Sequence, residues 1–312
     1  MLVSRSDTVS PSAQGPGAAS RIEGSTPAGW AWRLGPWSEL WRSPAALIGA
    51  ALVGLHLLLA LAGPVLAPYA PTEFHPDDTL RAPSTRYWLG TDQFGRDLLS
   101  RVIVGARSLL VLAYASTAAG VAVGVALGLV SGYFGGRVDE VLMRVGDGLM
   151  SFPSLFLALL IRATLGPSPV NIVLGIAVVF TPRVARVIRS VVLDLRTREF
   201  VQAAHVRGES DWYIMVRELL PNAVAPIVVE GSIRLSYAIL IGASLGFIGV
   251  GVPPPTPDWG RMVFEGRSFL ANAPWLTLAP AAAISSLVIG TTLLADAASR
   301  VLEGAQRVEA GR

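Results

Sequence analysis

The stretch G-V-A-V-G-V-A-L-G-L-V-S-G, residues 120–132, decides the fold class of this chain. Its glycines recur at every fourth position, so on a helix they share one face that a neighbouring helix can approach closely. They are Gly120, Gly124, Gly128 and Gly132. The surrounding residues 108–136 carry no charge, and about 20 apolar residues suffice to cross a bilayer core as a helix. The sequence therefore predicts a transmembrane helix whose glycine face packs either inside the chain's own bundle or against another subunit.

The composition of the whole chain agrees with lipid as its solvent. Of 312 residues, 52% are hydrophobic and 15% are charged, with a mean hydropathy of +0.53; soluble domains carry about 25% charged residues. The chain has no cysteine, which excludes disulfides and thiol catalysis. All 25 basic residues are arginine, so the lysine of a phosphate-binding loop is missing and any ATP must bind to another chain. The formal net charge of +3 gives no reason to expect nucleic-acid binding.

Six apolar segments are long enough to cross the membrane, which predicts an all-α membrane protein with six transmembrane helices. The predicted spans are residues 45–67, 108–136, 141–161, 170–188, 223–246 and 276–295. The third span is weak, because Arg144 and Asp147 lie at its start.

The segments around the spans complete the predicted organisation. Residues 1–42 are polar and rich in Ser, Pro, Gly and Ala, which predicts a disordered cytosolic tail rather than a signal peptide. The other parts are a first helix (43–68), an outer segment (69–107), a five-helix core (108–300) with a cytosolic loop at 189–222, and a second cytosolic tail (301–312).

The arginines predict the orientation, since cytosolic loops of membrane proteins are enriched in basic residues. With the N-terminus in the cytosol, the inner segments hold 16 of the 25 arginines, eight lie outside or at the outer rim, and Arg234 lies within a span. Six spans put both termini on one side. The predicted topology is therefore N-in and C-in, with the loop at residues 189–222 in the cytosol.

A polar stretch, E-F-V-Q-A-A-H-V-R-G at residues 199–208, stands in the middle of that loop. On a helix one face is shared by Phe200, Ala203, Ala204 and Arg207. The adjacent alanines permit close approach of another backbone, and Gly208 is expected to end the helix.

A second helix is predicted directly after this glycine. Ser210 or Asp211 can cap it, and Pro221 and Asn222 end it. Its predicted apolar face consists of Trp212, Met215, Val216 and Leu219. The two helices either pack as a hairpin on their own bundle or dock a soluble partner, and the pattern alone leaves both open.

These residues resemble the EAA loop of the permeases of ABC importers. The resemblance rests on Gln202-Ala203-Ala204, on Gly208 and on Leu219-Leu220-Pro221-Asn222. The first motif residue is usually glutamate and is here Gln202, and the basic residue usual after the alanines is here His205. In that family the loop forms a coupling helix that inserts into a cleft on a cytosolic ATPase. The resemblance implies such a role for Glu199, Gln202, Ala203, Ala204, Arg207, Gly208, Asp211, Leu220 and Pro221.

Two further stretches are similar to the C-type subunits of dipeptide, oligopeptide and nickel permeases. One is L-G-T-D-Q-F-G-R-D at residues 89–97, and the other is S-L-G-F-I-G at 244–249 with its continuation to residue 262. The resemblance covers about residues 41–300. It implies a type I (MetI-like) permease fold in a bacterial inner membrane, crossing the lipid bilayer several times.

The resemblance also implies partners and a substrate class. The partners are a homologous B-type permease, two cytosolic ABC ATPase domains that bind ATP and Mg, and an extracytoplasmic substrate-binding protein. This chain itself is expected to bind no cofactor. The expected substrates are dipeptides or oligopeptides, with nickel or glutathione-like molecules as alternatives.

Two charged residues fall inside the fifth predicted span. Glu230 and Arg234 are four residues apart, in the order that favours an ion pair on a helix. A lone charge in the membrane is costly, so a pair or a wet cavity is expected. Either a structural ion pair or direct contact with the substrate satisfies this requirement.

Two other protein classes are weighed against the permease. Residues 242–246 match G-x-S-x-G, but a serine hydrolase needs a nearby histidine, and the chain has only His56, His75 and His205. A secondary transporter often shows internal repeats and broken midplane helices, and neither is evident in the sequence.

Overall fold

The computed structural model describes residues 43–310, and within that range the fold is all-helical apart from one isolated bridge between Thr91 and Asp97. The helices in chain order are α1 (Pro44–Leu66), α2 (Leu98–Phe134), α3 (Gly136–Met150), α4 (Ser154–Leu165), α5 (Pro169–Leu195), α6 (Glu199–Val206), α7 (Val224–Phe247), α8 (Trp259–Gly266) and α9 (Trp275–Ala310). Of these, α1, α2, α5, α7 and α9 are each long and apolar enough to cross a membrane. The all-α membrane fold is thus confirmed, while the predicted tail at residues 1–42 lies outside the described residues.

The predicted third span, residues 141–161, is not one straight helix. Instead α3 and α4 meet at a bend of 92°, and the two make a sixth span only when they are counted as one broken span. Pro153 stands at this bend. It lacks a backbone N–H and disfavours a helical backbone at Phe152, which explains why the helix stops there.

Two helix boundaries also differ from the predicted organisation. Helix α2 begins at Leu98, inside the predicted outer segment, because Asp97 accepts a hydrogen bond from the backbone N–H of Ser100 at 2.8 Å and caps the helix. Its first turns carry Arg101, which is buried and lies 3.6 Å from Asp92. At the other end of the chain, α9 continues into the predicted second tail and ends at Ala310.

The most extensive helix contact joins α2 to α5, and the four glycines of α2 lie in it. A Cβ atom on Gly124 would be only 2.6 Å from Cβ of Val184, and one on Gly132 would be 2.7 Å from Cβ of Val192. Gly120 and Gly128 are equally crowded by α5. The glycine face is therefore filled by a helix of the same chain, and it is not available as a seam with another subunit.

Helix α8 packs against the first turns of α2. The indole N–H of Trp259 donates to the carbonyl of Val102 at 2.8 Å, and the absence of a side chain on Gly105 leaves room for the ring. Asp258 caps α8 by accepting a hydrogen bond from the backbone N–H of Arg261. Burial raises the pKa of the Asp258 carboxyl, and this hydrogen bond lowers it in part. The contacts of Trp259 hold α8 on α2.

We expect that Gly124→Ala lowers the unfolding temperature of the purified, assembled complex by several degrees. Overpacking a tight contact of this kind costs about 1–3 kcal/mol, since either α5 must shift or side chains must leave their preferred rotamers. Gly231→Ala is the matched control, because it also lies in a spanning helix but its Cβ would meet nothing nearer than 3.8 Å. Equal unfolding temperatures for the two variants would contradict a tight α2–α5 contact.

Candidate functional site

The central hairpin, residues 196–222, begins where α5 ends. The guanidinium of Arg196 donates to the carbonyls of Gly132 and Tyr133 at 3.1 and 3.4 Å, at the carboxyl end of α2. Cations are favoured at this end of a helix, because its last carbonyls lack partners. The start of the hairpin is thereby fixed to α2 as well as to α5.

Helix α6, the first arm of the hairpin, packs against the bundle through Val201 and Ala204, which are both fully buried. Ala203 and Arg207 are exposed. The face predicted from Phe200, Ala203, Ala204 and Arg207 is therefore not the buried one. The apolar side chain of Val201, three residues before Ala204, sets the inner face instead.

The turn after α6 requires a glycine. Gly208 has φ +75°, in the left-handed region, and its N–H donates to the carbonyl of His205 at 3.0 Å. The next N–H, of Glu209, donates to the carbonyl of Ala204 at 3.2 Å. Ser210 then caps the second arm by accepting a hydrogen bond from the N–H of Tyr213 at 3.3 Å. Of the two predicted caps, the structure uses the serine.

The second arm, residues 211–222, includes a π-helical segment at Ile214–Leu219. The buried apolar residues of this arm are Ile214, Met215 and Leu219, whereas Trp212 is 72% exposed. The sequence predicts Trp212 on the same apolar face as Met215 and Leu219. The wider π turn shifts the register of the following side chains, and this shift cannot be seen in a pattern that assumes 3.6 residues per turn.

Side chains from both arms and from the end of α2 hold the hairpin together. Arg207 lies 3.2 Å from Glu218 on the second arm and 3.5 Å from Glu209 in the turn. The hydroxyl of Tyr133 donates to Asp211 at 2.7 Å, and its ring stacks on that of His205 at 6.2 Å between centroids. Exposed ion pairs of this kind contribute little stability, so their main effect is to fix the direction of the arms.

An open hollow of about 420 Å³ lies beside α6, between the hairpin and the end of α2. It is lined by Tyr133, Phe134, Arg196, Thr197, Gln202, His205 and Asp211. Gln202, at the position that is usually glutamate in the EAA motif, thus lies on the wall of this hollow, with its amide 3.5 Å from the carbonyl of Arg196.

The outward surface of the hairpin is apolar at its tip. Val206 is 90% exposed, and Trp212 lies exposed beyond the turn, with Ala203 and Gly208 exposed near them. Leu220 and Pro221, at the base of the second arm, are half-buried where the hairpin leads into α7. Large exposed apolar side chains such as these are the kind of surface to which protein partners bind.

The remaining candidate sites show no arrangement for catalysis. The hydroxyl of Ser244 donates to the carbonyl of Leu240 in its own helix at 2.7 Å. His56 interacts with Ser286 and with the carbonyl of Leu52, so the G-x-S-x-G serine has no histidine partner there and the hydrolase alternative does not apply. In the described range, no group of three His, Asp or Glu residues is placed to hold a metal.

The two charged residues of the fifth span lie together in α7. The guanidinium of Arg234 contacts one carboxylate oxygen of Glu230 through two nitrogens, at 2.7 and 2.6 Å. Both side chains are largely buried.

Comparison with known proteins gives two family matches. Residues 124–308 match the model for the binding-protein-dependent transport system inner membrane component, and residues 31–83 match the model for the N-terminal TM domain of oligopeptide transport permease C. The first match covers more than half of the chain and includes the α2–α5 contact, the hairpin and α7.

Curated relatives are similar over most of the chain. The dipeptide transport system permease protein DppC of Alkalihalophilus pseudofirmus is 36% identical over 267 residues, covering 84% of this chain and 88% of that protein. The glutathione transport system permease protein GsiD of Pectobacterium atrosepticum is 36% identical over 266 residues, with the same coverage. The di/tripeptide permease DppC of Pseudomonas aeruginosa is 38% identical over 271 residues, covering 84% and 89%.

We expect Gly208→Pro to open the turn of the hairpin. Proline fixes φ near −65° and has no N–H, so it can neither adopt the φ of +75° nor donate to His205. Hydrogen exchange of the amides at residues 203–214, measured in the purified complex, should accelerate at least tenfold.

Gly208→Ala is the control for this change. A Cβ atom there would meet nothing within 4 Å, so alanine has to overcome only the backbone strain of about 1–2 kcal/mol and should keep the turn. Unchanged exchange in the proline variant would show that the left-handed glycine does not hold the hairpin.

Proposed function

The chain belongs to the family of binding-protein-dependent transport system inner membrane components, and we propose that it imports dipeptides or oligopeptides and couples to its ATPases through residues 199–221. Members of this family are permease subunits of ABC importers. This chain is a C-type permease subunit of that kind, a multi-pass protein of the bacterial inner membrane, and it is not an enzyme. ATP drives such importers, so the secondary-transporter alternative is wrong.

A permease of this kind works with a partner permease, ATPases and a substrate-binding protein. Our finer proposal is that the partner permease is a homologous B-type subunit and that two ATPase domains each receive one coupling helix. The translocation path then lies between the two permeases. The binding protein delivers the substrate at the outer end, above α8 and residues 67–97.

The observation that carries the coupling proposal is the exposed apolar tip of the central hairpin. Val206 and Trp212 stand out from arms whose inner faces pack on α2 and α5, in a cluster with Leu129, Val184, Ile188 and Val192. A partner that binds the tip therefore acts on spanning helices and not on a loose loop. It shifts the permease between two states only if it binds them with different affinity.

The substrate proposal rests on the relatives. Two of them are named for dipeptides or di/tripeptides, which supports a peptide substrate for this chain. A relative of equal identity is named for glutathione, so a glutathione-like tripeptide is the second candidate. Both candidates are small peptides with free carboxylates.

The N-in and C-in topology belongs to the same proposal. The coupling role requires that the central hairpin face the cytosolic ATPases. The excess of arginine in the segments assigned to the inner side supports this direction.

We expect Val206→Asp to reduce the ATP hydrolysis stimulated by loaded binding protein at least tenfold in the reconstituted complex. A buried charge without a partner is costly at a protein interface, while an exposed position on the free hairpin tolerates it. Val206→Thr, which keeps the shape without a charge, is the matched control. Full stimulation in the aspartate variant would place the ATPase contact elsewhere.

A second prediction tests the topology by labelling single introduced cysteines. The chain has no cysteine of its own, so any label on it is attached to the introduced residue. A cysteine introduced as Val206→Cys should react with a membrane-impermeant maleimide only in inside-out vesicles stripped of the ATPases, which otherwise cover this position. Trp88→Cys, at an exposed position of the outer segment, should react only in intact cells stripped of the outer membrane. The reverse pattern would mean that both termini face outward.

A further inference from the structure

Three helices, α4, α5 and α7, bring charged and polar side chains close together. Arg183 on α5 lies 12 residues before the end of that helix at Leu195, and Arg234 on α7 lies 10 residues after its start at Val224. With a rise of 1.5 Å per residue, both lie about 15–18 Å from the hairpin end of their helices. Both arginines therefore lie well inside their helices, at a similar distance from the hairpin.

Arg183 is the exception in a series of three arginines on α5 that face α3 and the start of α4. Two of them pair with carboxylates on α3, Arg189 with Asp139 and Arg186 with Asp147. Arg183 instead donates to the hydroxyl of Ser154, at the first residue of α4, at 3.1 Å, and to a carbonyl of its own helix at 2.8 Å. In the part of the chain that the structure describes, it has no carboxylate partner.

Arg234 is the second guanidinium of this cluster. It lies 6.0 Å from the ring of Phe180, one turn before Arg183 on α5, and 5.6 Å from the ring of Tyr237. Its only carboxylate partner among the described residues is Glu230. The cluster thus holds two guanidiniums and one carboxylate, and it keeps a positive charge in a place where an uncompensated charge is costly.

Aromatic side chains close to the cluster are exposed. Tyr237 is half-exposed, and so are Phe152 and Phe156 on either side of the bend between α3 and α4. Helix α4 begins at this bend, so its unpaired backbone N–H groups and the positive end of its dipole lie beside Arg183. A surface that combines two arginines with the start of a broken helix is suited to water and an anion, not to lipid chains.

We propose that Arg183 and Arg234 form a site in the translocation path for a carboxylate of the substrate. This inference rests on the proposed peptide substrate, because peptides carry a free carboxylate. Glu230 competes with the substrate for Arg234 and keeps the site weak, so that a carboxylate that enters can also leave. A path needs this balance, since a tightly held substrate would not move on.

The test uses the assembled importer in proteoliposomes, with its binding protein, ATP and either radiolabelled dialanine or radiolabelled glutathione. The variants are Arg183→Gln and the double variant Glu230→Gln with Arg234→Gln, which removes both charges of the pair together and leaves no unpaired one. The matched control is Asp147→Asn with Arg186→Gln, an exposed ion pair on the same face of α5 three residues further on. Uptake and stimulated ATP hydrolysis are measured for each.

We expect both test variants to keep the stimulated ATP hydrolysis. Their uptake should fall at least about tenfold, which corresponds to the loss of one charge-assisted hydrogen bond to the substrate. The control should transport like the unaltered protein. Arg183→Lys should take up more substrate than Arg183→Gln, because lysine restores the positive charge. A role of Arg183 in packing alone would not explain such a recovery.

Each other outcome overturns the site. Normal uptake in the test variants, an equal loss in the control, or no recovery with lysine means that these arginines only hold the helices together. A variant whose ATP hydrolysis also falls has a structural or coupling defect, and this likewise contradicts a site that acts on the substrate alone. If the unaltered importer takes up neither peptide although loaded binding protein stimulates ATP hydrolysis, the proposed substrate class fails and the carboxylate site fails with it. If it shows no stimulated hydrolysis, the coupling proposal fails instead.

Discussion

The close contact between α2 and α5 is the constraint on which the rest of this structure depends. Four glycines remove every side chain from one face of α2, so backbone and Cβ atoms of α5 fill the space. In a lipid environment there is no hydrophobic force to draw helices together, and close packing of backbones is a main source of association. The contact fixes both the position of α5 and its rotation about its own axis. Every functional feature described above depends on that rotation.

Helix α5 connects the hairpin with the charged cluster. Val192, near its inner end, is buried against α2 and lies in the cluster of apolar residues that also contains Val201 and Ala204 of α6. Two to three turns earlier, Arg183 reaches the start of α4. Helix α5 has 27 residues and is about 40 Å long, and Pro182 lies inside it, directly before Arg183. Because one helix carries both features, a displacement of the hairpin reaches the surroundings of Arg183 through α5.

The sequence predicts those parts of the fold that local patterns determine. The spans follow from apolar length, the tight face of α2 from glycine spacing, and the turn at Gly208 from the need for a left-handed backbone. It does not predict the start of α2, because the arginines before residue 108, among them the buried Arg101, are assigned outside the span until Asp92, the partner of Arg101, is known. It also misses the inner face of the hairpin, where a π-helical segment buries Ile214 and leaves Trp212 exposed. In each case a contact or register outside the local pattern decides the outcome.

The break between α3 and α4 shows why the third span looks weak in sequence. If residues 141–161 formed one helix, it would carry charged side chains into the membrane without any evident partner. In the structure the charges belong to α3, whose Asp139 and Asp147 pair with α5, while the apolar residues belong to α4 after the bend. The hydropathy of this span is therefore low because its first half, α3, is charged and only its second half, α4, is apolar. Helix α3 is held on α5 by these ion pairs, and α4 begins beside Arg183, which has no carboxylate partner in the described chain. On one face of α5, Arg186 and Arg189 therefore support the fold, whereas Arg183 is left for the proposed contact with a substrate anion.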